Sequence, residues 1–96
     1  MLKLQIQVFG KVQGVAFRYY TRLKAKELGI KGTAQNLVNG SVEIHAIGVN
    51  SNLQLFVDWC KVGSPASDVS HVEMKKIDDF NELEYSDFVI LRWNIP

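Results

Sequence analysis

The chain has 96 residues, of which 47% are hydrophobic and 22% are charged, and its formal net charge is +1. These proportions are ordinary for a globular domain and exclude an intrinsically disordered chain. No apolar run approaches the roughly 20 residues that a membrane-spanning helix needs. The first residues lack a secretory signal, and the single cysteine, Cys60, excludes an internal disulfide. We therefore expect one domain over residues 1–96, located in the cytoplasm.

The charges are unevenly distributed along the chain. Residues 1–31 contain seven basic residues and one acidic residue, whereas residues 32–96 contain four basic and nine acidic residues. This asymmetry favours an anionic ligand near the first third of the chain. For most of these lysines a solvated helix face is the better explanation. Lys11 and Arg18 are the exceptions, because they lie in a glycine-containing loop.

The first predicted elements are a strand, a loop and a helix. Residues 2–9 alternate apolar and polar side chains, which predicts a strand. Gly10 and Gly14 follow in a loop, and a helix is predicted over residues 18–28. Gly29 ends that helix.

A hairpin and a second helix come next. Residues 30–38 and 41–47 are predicted strands, and Asn39-Gly40 between them is a strong hairpin signal. Asn50-Ser51-Asn52 offers caps for the second helix. Its apolar face is predicted from the spacing i, i+3, i+4 and i+7 of Leu53, Phe56, Val57 and Cys60.

Two further strands complete the predicted order. They cover residues 69–77 and 88–93. The order β-α-β-β-α-β with a further C-terminal strand predicts an α+β, ferredoxin-like sandwich. In this split arrangement an antiparallel sheet carries two helices on one face.

The loop between the first strand and the first helix has the features of an anion site. Gly10 and Gly14 have no Cβ, so the backbone can turn its N–H groups toward a ligand and approach it closely. A helix N-terminus adds unpaired N–H donors and the positive end of a dipole, which suits phosphate. Arg18 supplies a planar guanidinium that binds a phosphoryl group through two hydrogen bonds. We interpret this loop as a phosphate-binding site, although such a loop alone is more often a tight connection.

A larger set of residues carries a family resemblance. The motif Gly10-x-Val12-Gln13-Gly14-Val15-x-Phe17-Arg18 is followed by Thr21, Gly29, Gly32, Asn36 and Gly40-Ser41-Val42-Glu43. Gly63-Ser64-Pro65 and Glu84-Tyr85-Ser86-Asp87-Phe88 come later in the chain. In these residues and their spacing the chain resembles the acylphosphatases over nearly its whole length.

The resemblance implies hydrolysis of the carboxyl–phosphate anhydride in acyl phosphates, with no metal or organic cofactor. It implies that Arg18 binds the phosphate and that Asn36 positions the attacking water, which makes these two the expected catalytic residues. The backbone amides expected to hold the phosphate belong to Lys11, Val12, Gln13, Gly14, Val15, Ala16 and Phe17. The expected partner is a small-molecule acyl phosphate, with no metal, nucleic acid or membrane, and the expected state is a monomer.

The chemistry of the motif agrees with that expectation. The motif over residues 10–18 contains no His, Asp, Glu, Ser or Cys. None is required as a general acid, because a carboxylate leaving group hardly needs one. The amide of Asn36 can orient a water but is a poor base. Taken alone, Asn36 is most often a turn residue before Asn39-Gly40, and the sequence leaves open whether it faces the loop.

A binding module is the second hypothesis. The loop would then hold a phosphorylated ligand or a nucleic-acid backbone without turnover, and the basic first third of the chain favours this. The predicted third strand contains no aromatic residue, which counts against stacking of RNA bases on the sheet.

Overall fold

The computed structural model describes residues 1–92 of the chain as five strands and two helices. In chain order these are β1 (Leu2–Lys11), α1 (Phe17–Glu27), β2 (Lys31–Asn36), β3 (Val42–Gly48), α2 (Asn50–Val62), β4 (Asp68–Ile77) and β5 (Phe88–Leu91). The predicted order of elements and the ferredoxin-like α+β fold are confirmed. The end of the predicted fifth strand, at Trp93, lies outside the described residues. No helix within residues 1–92 has the length and apolar character needed to cross a membrane.

The five strands form one sheet in the order β4-β1-β3-β2-β5. The first four pair antiparallel with their neighbours, as predicted. β5 pairs parallel with β2, so the complete sheet is mixed. Since β4 and β5 occupy opposite edges, their connection, residues 78–87, has to cross the sheet. It does so at one end, where Ile77, Lys3, Ile47 and Lys31 form one row of paired residues.

The hydrophobic core lies between one face of the sheet and the two helices. The central strands contribute alternate residues, among them Ile6, Val8, Val42 and Ile44, which are all fully buried. The predicted apolar face of α2 is buried as a whole, and it consists of Leu53, Phe56, Val57 and Cys60. On α1 the buried residues are Phe17, Thr21 and Ala25.

The start of α2 differs from the prediction. Asn50-Ser51-Asn52 lies inside the helix, and Val49 occupies the cap position in an extended conformation with φ −75° and ψ 149°. Asn52 instead donates a hydrogen bond from Nδ2 to the backbone oxygen of Leu28, at 3.0 Å. The amide that looked like a helix cap therefore connects α2 to the end of α1.

An ion pair between the buried Lys3 and the partly exposed Glu84 holds the connection between β4 and β5 against the sheet. Lys3 is only 7% exposed, and its Nζ lies 2.6 and 3.0 Å from the two carboxylate oxygens of Glu84. The ammonium is also 5.3 Å from the ring centroid of Tyr85. A buried charge is costly unless it is paired, so Glu84 and Tyr85 are what allow Lys3 to lie here.

These contacts set the charge state of Lys3. Burial lowers its pKa, but the hydrogen bond to Glu84 and the interactions with Glu84 and Tyr85 outweigh burial, so the pKa lies above its ordinary value of 10.5. A raised pKa in the folded state means that the pair stabilises the fold below pH 10.5. That stabilisation is lost as the pH rises through the raised pKa.

Replacement of Glu84 by Gln should lower the free energy of unfolding by about 1.5 kcal/mol at neutral pH. This is the lower end of the range for charged hydrogen bonds, because Glu84 is 33% exposed. Urea unfolding measures the difference, which should shrink at strongly alkaline pH. Glu82→Gln, in the same connection but 61% exposed, is the control and should stay within about 0.5 kcal/mol of wild type. Equal losses in the two variants would refute the assigned role of the Lys3–Glu84 pair.

Candidate active site

The connection from β1 to α1 has an unusual backbone conformation. Gly14 has φ 74°, and Ala16, which is not a glycine, has φ 59° and ψ 24°. A side chain in the left-handed region is uncommon and costs free energy. Left-handed residues in such a loop turn backbone N–H groups toward one side and form a concave anion site. The strained conformation of Ala16 therefore lies where the sequence predicts the phosphate.

The start of α1 favours an anion as well. Ala16 is its N-cap, and no side chain from residues 1–92 makes a capping hydrogen bond there. The first turn contains no acidic residue but contains Arg18, whereas Lys24 and Lys26 lie in the last turn, where cations are favoured. A cation beside the positive end of the helix dipole is unfavourable. A bound anion would offset this cost, because it accepts hydrogen bonds from both the guanidinium and the free N–H groups.

A cavity of about 210 Å³ brings the two predicted catalytic residues together. Four elements of the chain contribute to its wall. The lining residues are Val12, Gly14 and Ala16 of the loop, Phe17, Arg18 and Tyr19 of α1, Asn36 of β2 and Ile90 of β5. The sequence left open whether Asn36 faces the loop, and the structure places it in the same cavity.

Asn36 is a buried polar residue in the wall of this cavity. It is the last residue of β2 and pairs with Val42, which places its side chain on the helix-facing side of the sheet. Asn36 is 8% exposed, and its Oδ1 atom is buried without a hydrogen-bond partner among the described residues. An unpaired buried amide oxygen costs about 1–3 kcal/mol. Its position suits a group that accepts a hydrogen bond from a bound water.

The orientation of Arg18 depends on β5. Its Nη1 donates a hydrogen bond to the backbone oxygen of Leu91, at 2.8 Å. A guanidinium has five N–H donors, so this bond orients the side chain and leaves donors for an anion. The sequence did not predict any contribution of β5 to the site. Its parallel pairing with β2, which places Ile90 opposite Ala34, has no signal in the motif.

The side chain of Gln13 has a second function that the motif did not reveal. Its Nε2 donates hydrogen bonds to the backbone oxygens of Leu37, at 2.8 Å, and of Ser41, at 2.9 Å. These two residues flank the turn between β2 and β3, immediately after Asn36. Gln13 therefore fixes the distance between the loop and the strand end that carries Asn36.

The remaining residues of the predicted loop lie around the cavity. Lys11 is the last residue of β1 and pairs with Asp68 of β4. The backbone oxygen of Val15 accepts a hydrogen bond from Oγ of the buried Ser64, at 3.3 Å. As far as residues 1–92 define the cavity, Lys11, Gln13 and Val15 do not line it. Ser64 and Gln13 hold the loop from two sides.

Substitution of Gln13 by Leu should lower both activity and stability. Two carbonyl groups lose a donor, so we expect the free energy of unfolding to fall by about 1–3 kcal/mol. A displaced Asn36 should lower kcat about tenfold or more, since a small misplacement of a positioning group is costly. Hydrolysis of an acyl phosphate, the substrate that the family resemblance implies, and urea unfolding measure the two effects. Gln7→Leu is the matched control, because Gln7 also bonds this turn, at Oγ of Ser41, but lies on the opposite face of the sheet. If Gln13→Leu had a kcat as high as that of Gln7→Leu, the positioning role of Gln13 would be contradicted.

The only cysteine of the chain does not serve this site. Cys60 is fully buried in α2, and burial raises the pKa of its thiol to about 12. The reactive thiolate form is therefore negligible at neutral pH. This agrees with the predicted place of Cys60 on the apolar face of α2.

Fold and cavity together define a class of protein. A ferredoxin-like sheet carries a strand-to-helix loop with left-handed residues, an arginine in the first turn of the helix and a buried asparagine amide in one cavity. This arrangement is chemically suited to a small enzyme that acts on a phosphoryl group by positioning and electrostatics.

Comparisons with known proteins identify the family. The acylphosphatase family model matches residues 4–90. A curated acylphosphatase of Archaeoglobus fulgidus is 46% identical over 86 residues, which are 88% of this chain and 97% of that protein. One of Staphylococcus haemolyticus is 48% identical over 90 residues, covering 92% and 97% respectively. The crystal structure of acylphosphatase from Bacillus subtilis superimposes with a TM-score of 0.89 at 36% identity, covering 95% of this chain and 99% of that one. The chain belongs to the acylphosphatase family and is an enzyme of that family.

Proposed function

We propose that this enzyme hydrolyses acyl phosphates to a carboxylate and inorganic phosphate through the cavity at the start of α1. One observation supports this most strongly. The left-handed loop, Arg18 and the unpartnered amide oxygen of Asn36 all meet in one cavity. In this proposal Arg18 and the backbone amides of the loop residues that line the cavity bind the phosphoryl group, and Asn36 positions the attacking water.

The reaction forms one P–O bond and breaks another. The water at Oδ1 of Asn36 attacks phosphorus in line with the bond to the acyl oxygen. That bond breaks, and its electron pair leaves with the carboxylate. The charge on the equatorial oxygens is stabilised by the guanidinium of Arg18 and by the backbone N–H groups. The proton of the water passes to an oxygen of the phosphoryl group.

The residue types in the cavity suit this leaving group. A carboxylate has a conjugate acid with a pKa of about 4, so it departs without a general acid. Within residues 1–92, the lining of the cavity contains no Asp, Glu, His, Lys or Cys side chain. The leaving group of a phosphate monoester is an alkoxide, which is far more basic than a carboxylate. A monoester should therefore be a much poorer substrate.

The proposal extends to the state of the enzyme. We propose that it acts as a monomer and as a single domain over residues 1–96. We also propose that it works without a metal ion, in the cytoplasm. No nucleic-acid partner is proposed. Support for that comes from the sheet face opposite the helices, where the carboxylate of Glu43 accepts a bond from Gln5, at 3.4 Å, and contacts His45, at 3.0 Å.

Hydrolysis of benzoyl phosphate tests the proposal directly. The reaction is followed by loss of ultraviolet absorbance in the presence of EDTA, with wild type and Arg18→Ala in parallel. We expect metal-independent turnover by the wild type and its loss in the variant. A folded wild-type protein without turnover would favour the binding module, whose ligand would then be sought by titration with inorganic phosphate and nucleic acid.

A further inference from the structure

Tyr19 lines the cavity that also contains Arg18 and Asn36. Its side chain is 53% exposed, whereas Asn36 is 8% exposed. The same cavity therefore has a solvent-exposed aromatic side chain in its wall as well as the buried amide. Tyr19 is not part of the motif that predicts phosphate binding.

The geometry of the proposed reaction directs the acyl group toward Tyr19. In an in-line displacement the attacking and leaving oxygens lie on opposite sides of phosphorus. With the water at the buried Asn36, the carboxylate leaves on the side of phosphorus away from Asn36, and a larger acyl group has to extend toward solvent. Among the described residues, the apolar side chains of the lining that are not buried are Tyr19, from α1, and the half-buried Ile90, from β5.

The charges of the cavity restrict the acyl group further. Within residues 1–92, Arg18 is the only charged residue of the lining. In the proposed complex its guanidinium is already paired with the phosphoryl group. Lys11 lies outside the lining, in the β1–β4 pairing. A second negative charge on the acyl part would thus meet apolar side chains and no cation.

We propose that Tyr19 and Ile90 form an acyl-binding wall that selects acyl phosphates with an apolar, planar acyl group. The ring of Tyr19 is oriented by an edge-to-face contact with Tyr20, with centroids 5.3 Å apart and an interplanar angle of 83°. An aromatic acyl group can pack against an oriented ring with little loss of side-chain freedom. This inference rests on the proposed function, since it assumes that the phosphoryl group lies between Arg18 and Asn36.

The selectivity between benzoyl phosphate and acetyl phosphate tests the wall. Both substrates present the same phosphoryl group, so the ratio of their kcat/KM values reports contacts to the acyl part. Tyr19→Ala should lower the benzoyl-to-acetyl ratio about fivefold, the order expected for one aromatic contact. Tyr19→Phe keeps the ring and should keep the ratio. The inhibition constant of inorganic phosphate should change less than twofold in both variants.

Tyr20→Ala is the matched control. It removes the contact that orients the ring of Tyr19 but leaves that ring in the lining, which Tyr20 does not join as residues 1–92 define it, so its ratio should fall less than that of Tyr19→Ala. An unchanged ratio in Tyr19→Ala would overturn the acyl wall and leave the hydrolysis intact. An equal fall in Tyr20→Ala would also overturn it, because the ring pair rather than the wall would then matter. If the wild type hydrolyses neither substrate, the proposed function fails and the inference fails with it.

Discussion

Replacement of Arg18 by Ala should reduce kcat/KM for benzoyl phosphate by at least a factor of about 10²–10³. This range is typical for the loss of one preorganised donor that stabilises charge in the transition state. The loss on replacing Arg18 should exceed this range, because Arg18 is also the only cation lining the cavity within residues 1–92. The inhibition constant of inorganic phosphate should rise as well, since the product carries the same charge.

Lysine at position 18 should restore little of the activity. An ammonium is a point charge with a different geometry, and it cannot form the paired hydrogen bonds of a planar guanidinium. It also cannot donate to the backbone oxygen of Leu91 and to a phosphoryl group in the same arrangement. Arg18→Lys therefore separates the effect of charge from the effect of shape.

Arg22→Ala provides the control for the charge of α1. Arg22 lies one turn after Arg18 and is exposed, so its removal lowers the local charge equally without changing the cavity. Its activity should stay within about twofold of wild type at moderate salt, where exposed charges are screened. If inorganic phosphate binds Arg18→Ala as tightly as wild type, the assigned role of Arg18 is wrong.

The elements of the fold could be predicted because local patterns specify them. Leu53, Phe56, Val57 and Cys60 form one apolar face at helical spacing, and all four are buried as predicted. The hairpin at Asn39-Gly40 was predicted from its turn residues, and Oδ1 of Asn39 accepts a hydrogen bond from the backbone N–H of Ser41, at 3.0 Å. Such signals depend on residues close in sequence.

Contacts between distant segments could not be predicted in the same way. β1 continues to Lys11, beyond the predicted end at residue 9, because a bulge between Phe9 and Gly10 shifts its pairing with β4. The residues that support the site also come from afar. Leu91 lies 73 positions after Arg18, and Ser64 lies 49 positions after Val15. No local pattern encodes either contact.

The motif and the structure gave different parts of the candidate site. The spacing of Arg18 and Asn36 was sufficient to name both residues through the family resemblance. Only the structure places them in one cavity, which Tyr19 also lines. The acyl side had no sequence signal, because an apolar or aromatic residue at the start of a helix is most often part of the core.

Substitution of Asn36 by Ala should lower kcat far more than it weakens phosphate binding. A group that positions the attacking water acts on the transition state, so we expect a loss of about 10²–10³ in kcat. The inhibition constant of inorganic phosphate should change less than tenfold, because the loop amides and Arg18 remain. Gln35→Ala is the matched control, since the neighbouring residue lies on the opposite face of the sheet and pairs with Glu43.

The free energy of unfolding should rise, although kcat falls, when the side-chain amide of Asn36 is replaced by an apolar group of similar size. Oδ1 of Asn36 has no hydrogen-bond partner within residues 1–92, so Asn36→Leu removes a buried polar group that the fold leaves unsatisfied. The free energy of unfolding should rise by about 1 kcal/mol, while kcat falls as in Asn36→Ala. A residue retained for structure would lose stability and activity together. Opposite signs in urea unfolding and in kcat would mean that Asn36 is kept for its contact with a bound water at a cost in stability. A parallel loss of both would remove the basis for its assigned role.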